Sequence, residues 1–487
     1  MRLKSLILGA ALAALALPAA AQELTAITGG RVLTGTSVIE NGTVVIQNGR
    51  VVSVGTGAAP SGARVIDARG KVVAPGFVAV DSGLGGSEVS SVGGSDDLSN
   101  GANSISASFD VSYGLDPWSF TLPVARLGGI TRAIVVPNHP GGGGGAGPDR
   151  DDAAVLDDDG AVLDDRGAGQ DAAAGDGGEF LGGGHRHDDS DFAGVGDGGY
   201  QSPSLFAGQA AVIHLAEGTD ILVKPRVAMV APFGEAGAGV AGGARGAEFV
   251  QFKETLAEVR LYARNRAAYD RAGLRDLSLS RADLEALIPV ANGTMPLIVT
   301  VRRAADIQQV LRLAREEGVK IILDGAEEGW LVADQIAAAG VPVLLNPISN
   351  LPGNFEVRAT RMQNAAVLDA AGVTIAIKGN EGSIHRARET RYNAGNAVSH
   401  GLSYESAIEA ITVNPARIFG MAGQFGELRA GAAADVVVWS GDPLEPLSIA
   451  ETIFIGGAEQ APVSRQFLLR DRYASGGEGA MPPAYPR

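Results

Sequence analysis

The chain has 487 residues, enough for one large domain or two, and 45% of them are hydrophobic, so a substantial core can form. A net charge of −16 and a pI near 4.9 argue against the clustered basic surface that non-specific nucleic-acid binding needs, and disfavour docking on anionic lipid. Cysteine is absent, which excludes disulfides, a thiolate nucleophile and a thiolate metal ligand.

The N-terminus reads as a secretory signal. Arg2 and Lys4 form a basic start, Ser5 to Leu17 is an apolar run short for a bilayer span, and Pro18-Ala19-Ala20-Ala21-Gln22 offers small residues for cleavage after Ala21. Residues 1–21 are therefore expected to be a signal peptide, with the mature protein periplasmic or secreted. No later segment has the length and apolarity of a membrane helix.

Residues 22–74 read as all-β. Val44-Val45-Ile46-Gln47-Asn48-Gly49-Arg50-Val51-Val52-Ser53-Val54 is two strands about an Asn-Gly turn, whose residues accept the positive φ angles of a type I′ hairpin. From residue 75 to 424 strands and helices alternate. Arg132-Ala133-Ile134-Val135-Val136 is a short apolar run. Leu297-Ile298-Val299-Thr300-Val301 precedes a helix over 304–317 with Ile307, Val310, Leu311 and Leu313 at helical spacing. Ile321-Ile322-Leu323, Val341-Pro342-Val343-Leu344-Leu345 and Val373-Thr374-Ile375-Ala376-Ile377 follow, with a helix over 331–339 between the first two. This alternation predicts parallel βαβ units, and their number suits an α/β fold of the (β/α)8 TIM-like barrel type.

Residues 138–200 interrupt that pattern. Positions 141–145 are all glycine, and Ala-Val-Leu-Asp-Asp occurs at 154–158 and again at 161–165. Low hydrophobicity with dense like charge predicts a flexible acidic insertion in a barrel loop. An EF-hand frame fails, because setting Gly160 as its invariant glycine puts Val155 and Arg166 where acidic ligands are needed. The tail, residues 425–487, carries a second β set that includes Ala434-Asp435-Val436-Val437-Val438-Trp439. The two chain ends are expected to pair into one small β-sandwich domain flanking the barrel.

Taken together, Pro75-Gly76-Phe77, the run from Thr412 to Gly420 and the run from Gly426 to Trp439 resemble motifs of the amidohydrolase superfamily, in particular of its exported imidazolonepropionase-like and dipeptidase-like members. Thr412-Val413-Asn414-Pro415-Ala416-Arg417-Ile418-Phe419-Gly420 is similar to the family's Thr-x-Asn-Pro-Ala-x-x-(Leu/Phe)-Gly. The stretch from Gly426 through Leu428, Gly431, Ala434 and Asp435 to Trp439 is similar to its Gly-x-Leu-x-x-Gly-x-x-Ala-Asp-Leu-Val-Val-(Trp/Leu). Pro75-Gly76-Phe77 resembles the turn that opens the first barrel strand. The resemblance implies metal-assisted hydrolysis of C–N bonds in non-peptide or dipeptide substrates. Histidines on strands one, five and six and an aspartate on strand eight would hold the metal and move the proton.

Carried over position by position, those ligands are replaced. The two strand-one histidine positions hold Asp81 and Gly83, the strand-five position holds Thr300, Asp324 stands near the strand-six position, and Asn380 stands for the strand-eight acid. Arg302, Lys378 and His385 are further pocket candidates. Arg302 and Lys378 are the cations expected to pair with Asp81 and Asp324. Of the other histidines, His139 sits on a candidate functional loop and His185 and His187 lie in the acidic insertion. His214 reads as a structural residue, and His400 as the end of a helix.

Two readings follow. In the first the chain has lost metal-dependent catalysis, needs no cofactor, and works as a binding or partner subunit. Its partner would be an active amidohydrolase relative or a second copy of itself, and a small amide or peptide its ligand. In the second it is an active C–N hydrolase whose carboxylate-rich site, built on Asp81 and Asp324 with His385 or His139, holds zinc or another divalent metal. A third gives the acidic insertion the role of a calcium-responsive or partner-binding tether.

Overall fold

The computed structural model of the chain describes residues 24–89, 92, 94–100, 105–138, 204–349, 351–379 and 384–474. The expected signal peptide, almost all of the acidic insertion, Asn380, His139, His185 and His187 lie outside the described residues.

Five strands come first: β1 (Thr25–Leu33), β2 (Val38–Gln47), β3 (Arg50–Gly55), β4 (Arg64–Asp67) and β5 (Val72–Pro75). Asn48 and Gly49 both have positive φ, so the β2–β3 hairpin turns where the Asn-Gly pair predicts. Eight more strands form the middle: β6 (Phe77–Ser82), β7 (Ile130–Val135), β8 (Gly208–His214), β9 (Leu222–Pro232), β10 (Leu297–Val301), β11 (Ile321–Gly325), β12 (Val343–Leu345) and β13 (Ile375–Ile377). The last three are β14 (Val436–Trp439), β15 (Ala450–Ile455) and β16 (Ala458–Gln460).

The terminal strands make one hydrogen-bonded sheet in the order β16-β15-β14-β5-β1-β2-β3, with β4 also pairing β1. Chain start and chain end meet at β5 and β14, antiparallel from Val72↔Trp439 to Pro75↔Val436. Ile27, Val44, Ile46, Val73, Val436, Val438 and Phe454 share this sheet's core.

The middle strands make a second sheet, ordered β6 to β13 by sequence, that curls into a nearly closed barrel. Its lumen is filled from nearly every strand: Val78 and Val80, Ile134, Ala210 and Val212, Ala228 and Val230, Ile298, Ile322, Leu344 and Ala376. These residues recur at a spacing of two along the longer strands, as a single inward face requires. Helices such as Ala304–Glu317, with Ile307, Val310 and Leu313 buried, cover the outside. The expectation of uniformly parallel βαβ units needs one correction. β8 runs antiparallel to both β7 and β9. The link from His214 to Leu222 is too short for a helical crossover, so β8 and β9 can pair only as a hairpin.

The Pro-Gly-Phe turn joins the two sheets. Gly76 donates its N–H to the Asp435 carbonyl, and a side chain there would run into Thr131, so only glycine fits. Beside it Phe77 stacks on Trp439 with ring centroids 5.5 Å apart. Asp435, of the Ala-Asp motif, accepts from Arg132 Nε at 2.7 Å and from the Gly456 N–H at 2.8 Å, in a site where its side chain is 2% exposed. Among the described residues no helix is long and apolar enough to cross a membrane.

Candidate functional site

Strand geometry chooses the side chains at the barrel mouth. Two positions beyond the lumen residues Ile298, Ile322 and Ala376 stand Thr300, Asp324 and Lys378, so all three continue the inward face at the C-terminal ends of their strands. This is the end at which barrel folds carry their chemistry. Thr300 and Asp324 are direct partners in the β10–β11 register, and Thr300 Oγ1 donates to Asp324 Oδ2 at 3.2 Å.

Asp81 arrives by a different device. The β6–β7 pairing is irregular between Ala79 and Ser82, and Asp81 has a φ of 51°, a left-handed conformation that aspartate tolerates better than most residues. Such an irregularity re-aims a side chain at a strand end. Gly83, at the second strand-one position, contributes no side chain. Its carbonyl accepts from the Gly86 and Ser87 amides and holds the turn that follows.

Lys378 brings the strands together. Its Nζ donates to Asp81 Oδ2 at 2.7 Å and to Asp324 Oδ1 at 2.7 Å. The lysine side chain is 3% exposed and that of Asp324 5%, whereas Asp81 keeps a partly open flank. The backbone beneath is fixed as well. Lys378 N–H donates to the Leu345 carbonyl, extending the β12–β13 ladder, and Asn393 Nδ2 donates to the Lys378 carbonyl at 2.9 Å. Arg302, the other cation expected to meet these carboxylates, instead donates from Nη1 to Glu327 Oε1 at 2.7 Å. His385 lies in the short 3-10 turn Ile384–Glu389, with its side chain outside the described residues. His214 is structural: its Nδ1 accepts from the Ala216 amide, and burial lowers its pKa, with Arg132 adding to that effect. His400 ends the helix Thr390–Ser399, its Nδ1 2.8 Å from the Asn396 carbonyl.

A second polar cluster, unforeseen from the sequence, lies beyond the end of β9. Arg245 donates to Asp306 Oδ2 at 3.0 Å and to Glu356 Oε1 at 2.9 Å, and Arg303 donates to Asp306 Oδ1 at 2.7 Å. Glu356 also accepts from the Glu235 amide at 2.6 Å. Glu248, fully buried in the helix Arg245–Arg264, accepts from the Gly234 amide through Oε1, while its Oε2 has no hydrogen-bond partner. Burial pushes the Glu248 carboxyl up to about 8, against the opposing pull of the Gly234 N–H.

Residues 293–465 match the model of the Amidohydrolase family. The fold matches the crystal structure of an amidohydrolase from Thermotoga maritima MSB8 at a TM-score of 0.70 and 21% identity, over 90% of this chain and 99% of that one. The family model thus covers the C-terminal part of the chain, and the fold is that of the amidohydrolase structure over 90% of its length. A curated relative, amidohydrolase tasK from Hapsidospora irregularis, is 31% identical over 81 residues, which is 17% of this chain and 8% of that protein. The chain thus spans only a small fraction of the length of that relative.

The resemblance to amidohydrolases implies a divalent metal at this mouth, and the residues can be tested for it. Among the described residues, no group of three or more His, Asp or Glu side chains is placed to hold an ion. Asp81 and Asp324 converge, but on Lys378 Nζ. A metal needs oxygen ligands within about 2.0–2.6 Å, so an ion shared by this pair would compete for the space and the charge of the ammonium. As arranged, these residues do not fit a metal. An ammonium held this way donates hydrogen bonds and supplies fixed positive charge.

Proposed function

We propose that this amidohydrolase-superfamily protein is an exported binding or partner subunit that has given up metal-dependent hydrolysis. The observation that carries the reading is Lys378 Nζ, 2.7 Å from each of the two carboxylates that the hydrolase alternative would need as metal ligands. The surroundings agree with recognition of a partner or of a small amide or peptide ligand. Tyr113 and Trp118 stand exposed on the segment after β6, and Leu351 and Phe355 on the segment after β12, and both segments leave the C-terminal ends of barrel strands. The partner is an active amidohydrolase relative in the same compartment or a second copy of this chain.

The test is elemental analysis of the full chain purified without chelators. The expected result is metal far below one ion per chain. Stoichiometric zinc or another divalent ion that survives desalting would contradict the proposal.

A further inference from the structure

The barrel sheet runs from β6 to β13 without a strand pairing between its two ends among the described residues. Lys378, directly after β13, reaches Asp81 on β6 across that seam, joining residues 297 apart in sequence, and at the same time holds Asp324 on β11. We propose that Lys378 is a tethered cation that straps the barrel shut, and that its removal leaves Asp81, Asp324 and Thr300 as a site for a free divalent cation. The inference rests on the proposed absence of a resident metal and goes beyond it by assigning the lysine a structural task.

Asp324 is 3% exposed and Thr300 8%, so the carboxylate has little water to replace a lost cation. Taking the cation away from a buried carboxylate is strongly destabilising, because the charge left behind is less well compensated than in the intact pair. Arg302 cannot take over without leaving Glu327, to which it is bound at 2.7 Å. The strand register fixes Thr300 opposite Asp324, so hydroxyl and carboxylate stay together when the lysine is shortened. The remaining donors are oxygens, a set that suits hard cations such as Mn²⁺ or Mg²⁺.

Thermal unfolding of the full chain, with and without millimolar Mn²⁺, tests this in wild type, K378A, K378R and the double variant K378A/D324N. Wild-type Tm is expected to be indifferent to Mn²⁺. K378A should melt lower by on the order of 5 °C and regain the loss as Mn²⁺ rises, because a ligand that binds only the folded state raises Tm with its concentration. K378R, which keeps the charge, should lose less and show no Mn²⁺ response, and the double variant should lose the response. If K378A is recovered unfolded, refolding it with and without Mn²⁺ reads the same claim: recovery that depends on the ion supports it. A K378A protein as stable as wild type would overturn the strap, and one that Mn²⁺ neither restabilises nor refolds would overturn the cation site. Resident metal in the wild type would instead overturn the proposed function, so the two failures are distinguishable.

Discussion

Asp81, Thr300 and Asp324 can be singled out one at a time in the sequence, as residues at or near the positions where the resemblance expects histidines. Their joint meaning was less visible. Lys378 was one of two cations expected to meet the carboxylates. Alternation does not separate it from Arg302, since Lys378 stands two residues after Ala376 and Arg302 two after Thr300; the difference lies in the partners, Arg302 donating to Glu327 and Lys378 to Asp81 and Asp324. Glu248 was not legible at all. Its environment joins the start of the helix Arg245–Arg264, the turn at Gly234 and Glu356, a residue 121 positions from Glu235, which it also contacts. Its titration gives a test at this scale. The folded-state value of about 8 lies above the ordinary 4.5. Between those values the unfolded chain has released the proton and the folded chain retains it, so stability falls as pH rises through that window and levels off above it. Glu248→Gln removes this slope, which is at most about 1.4 kcal/mol per pH unit. Urea unfolding at pH 5, 6.5 and 8 should show the variant gaining on wild type as pH rises. A constant difference across the three pH values would mean that Glu248 is already ionised in the folded protein.

Among the elements, the strands and helices from β10 onward were the easiest to read, because each apolar run is followed by a helix with clear periodicity. β8 and β9 escape: Gly208–His214 is apolar save Gln209 and its last residue, with no period to reveal its direction, and only the short connection to β9 decides it. The Ala-Asp motif before β14 has a physical cause that the sequence alone conceals. Asp435 ties the terminal sheet to the barrel through Arg132, across 303 residues of chain. Asp435→Ala leaves that guanidinium, with 10% of its side chain exposed, without its carboxylate. A loss of about 3–5 kcal/mol is expected, read as a lower urea midpoint. A midpoint within error of wild type would show that the junction is held by the Phe77–Trp439 stack and the backbone pairing instead.

For the whole molecule, the order of elements announces strands at both chain ends and an alternating middle, and the terminal strands share one sheet while the middle strands form another. What composition could not convey is that the acidic insertion separates two adjacent antiparallel strands. β7 and β8 pair from Arg132↔His214 to Val135↔Ala211, so a short turn can join their ends. Replacing residues 141–200 by a short glycine-serine linker is therefore expected to keep a cooperative melt close to that of the full chain, and a loss of folding would show that the insertion is part of the core. If the insertion were the partner-binding tether, the same variant would lose partner binding while remaining folded.

At the centre stands the claim that a lysine holds the place of a metal, and it is reached most directly by weighing the ion. Wild type and K378A are exposed to the same Mn²⁺, desalted identically and analysed for bound metal. The account predicts wild type nearly empty and K378A approaching one ion per chain. Wild type carrying a full ion, with Lys378 intact, would contradict it.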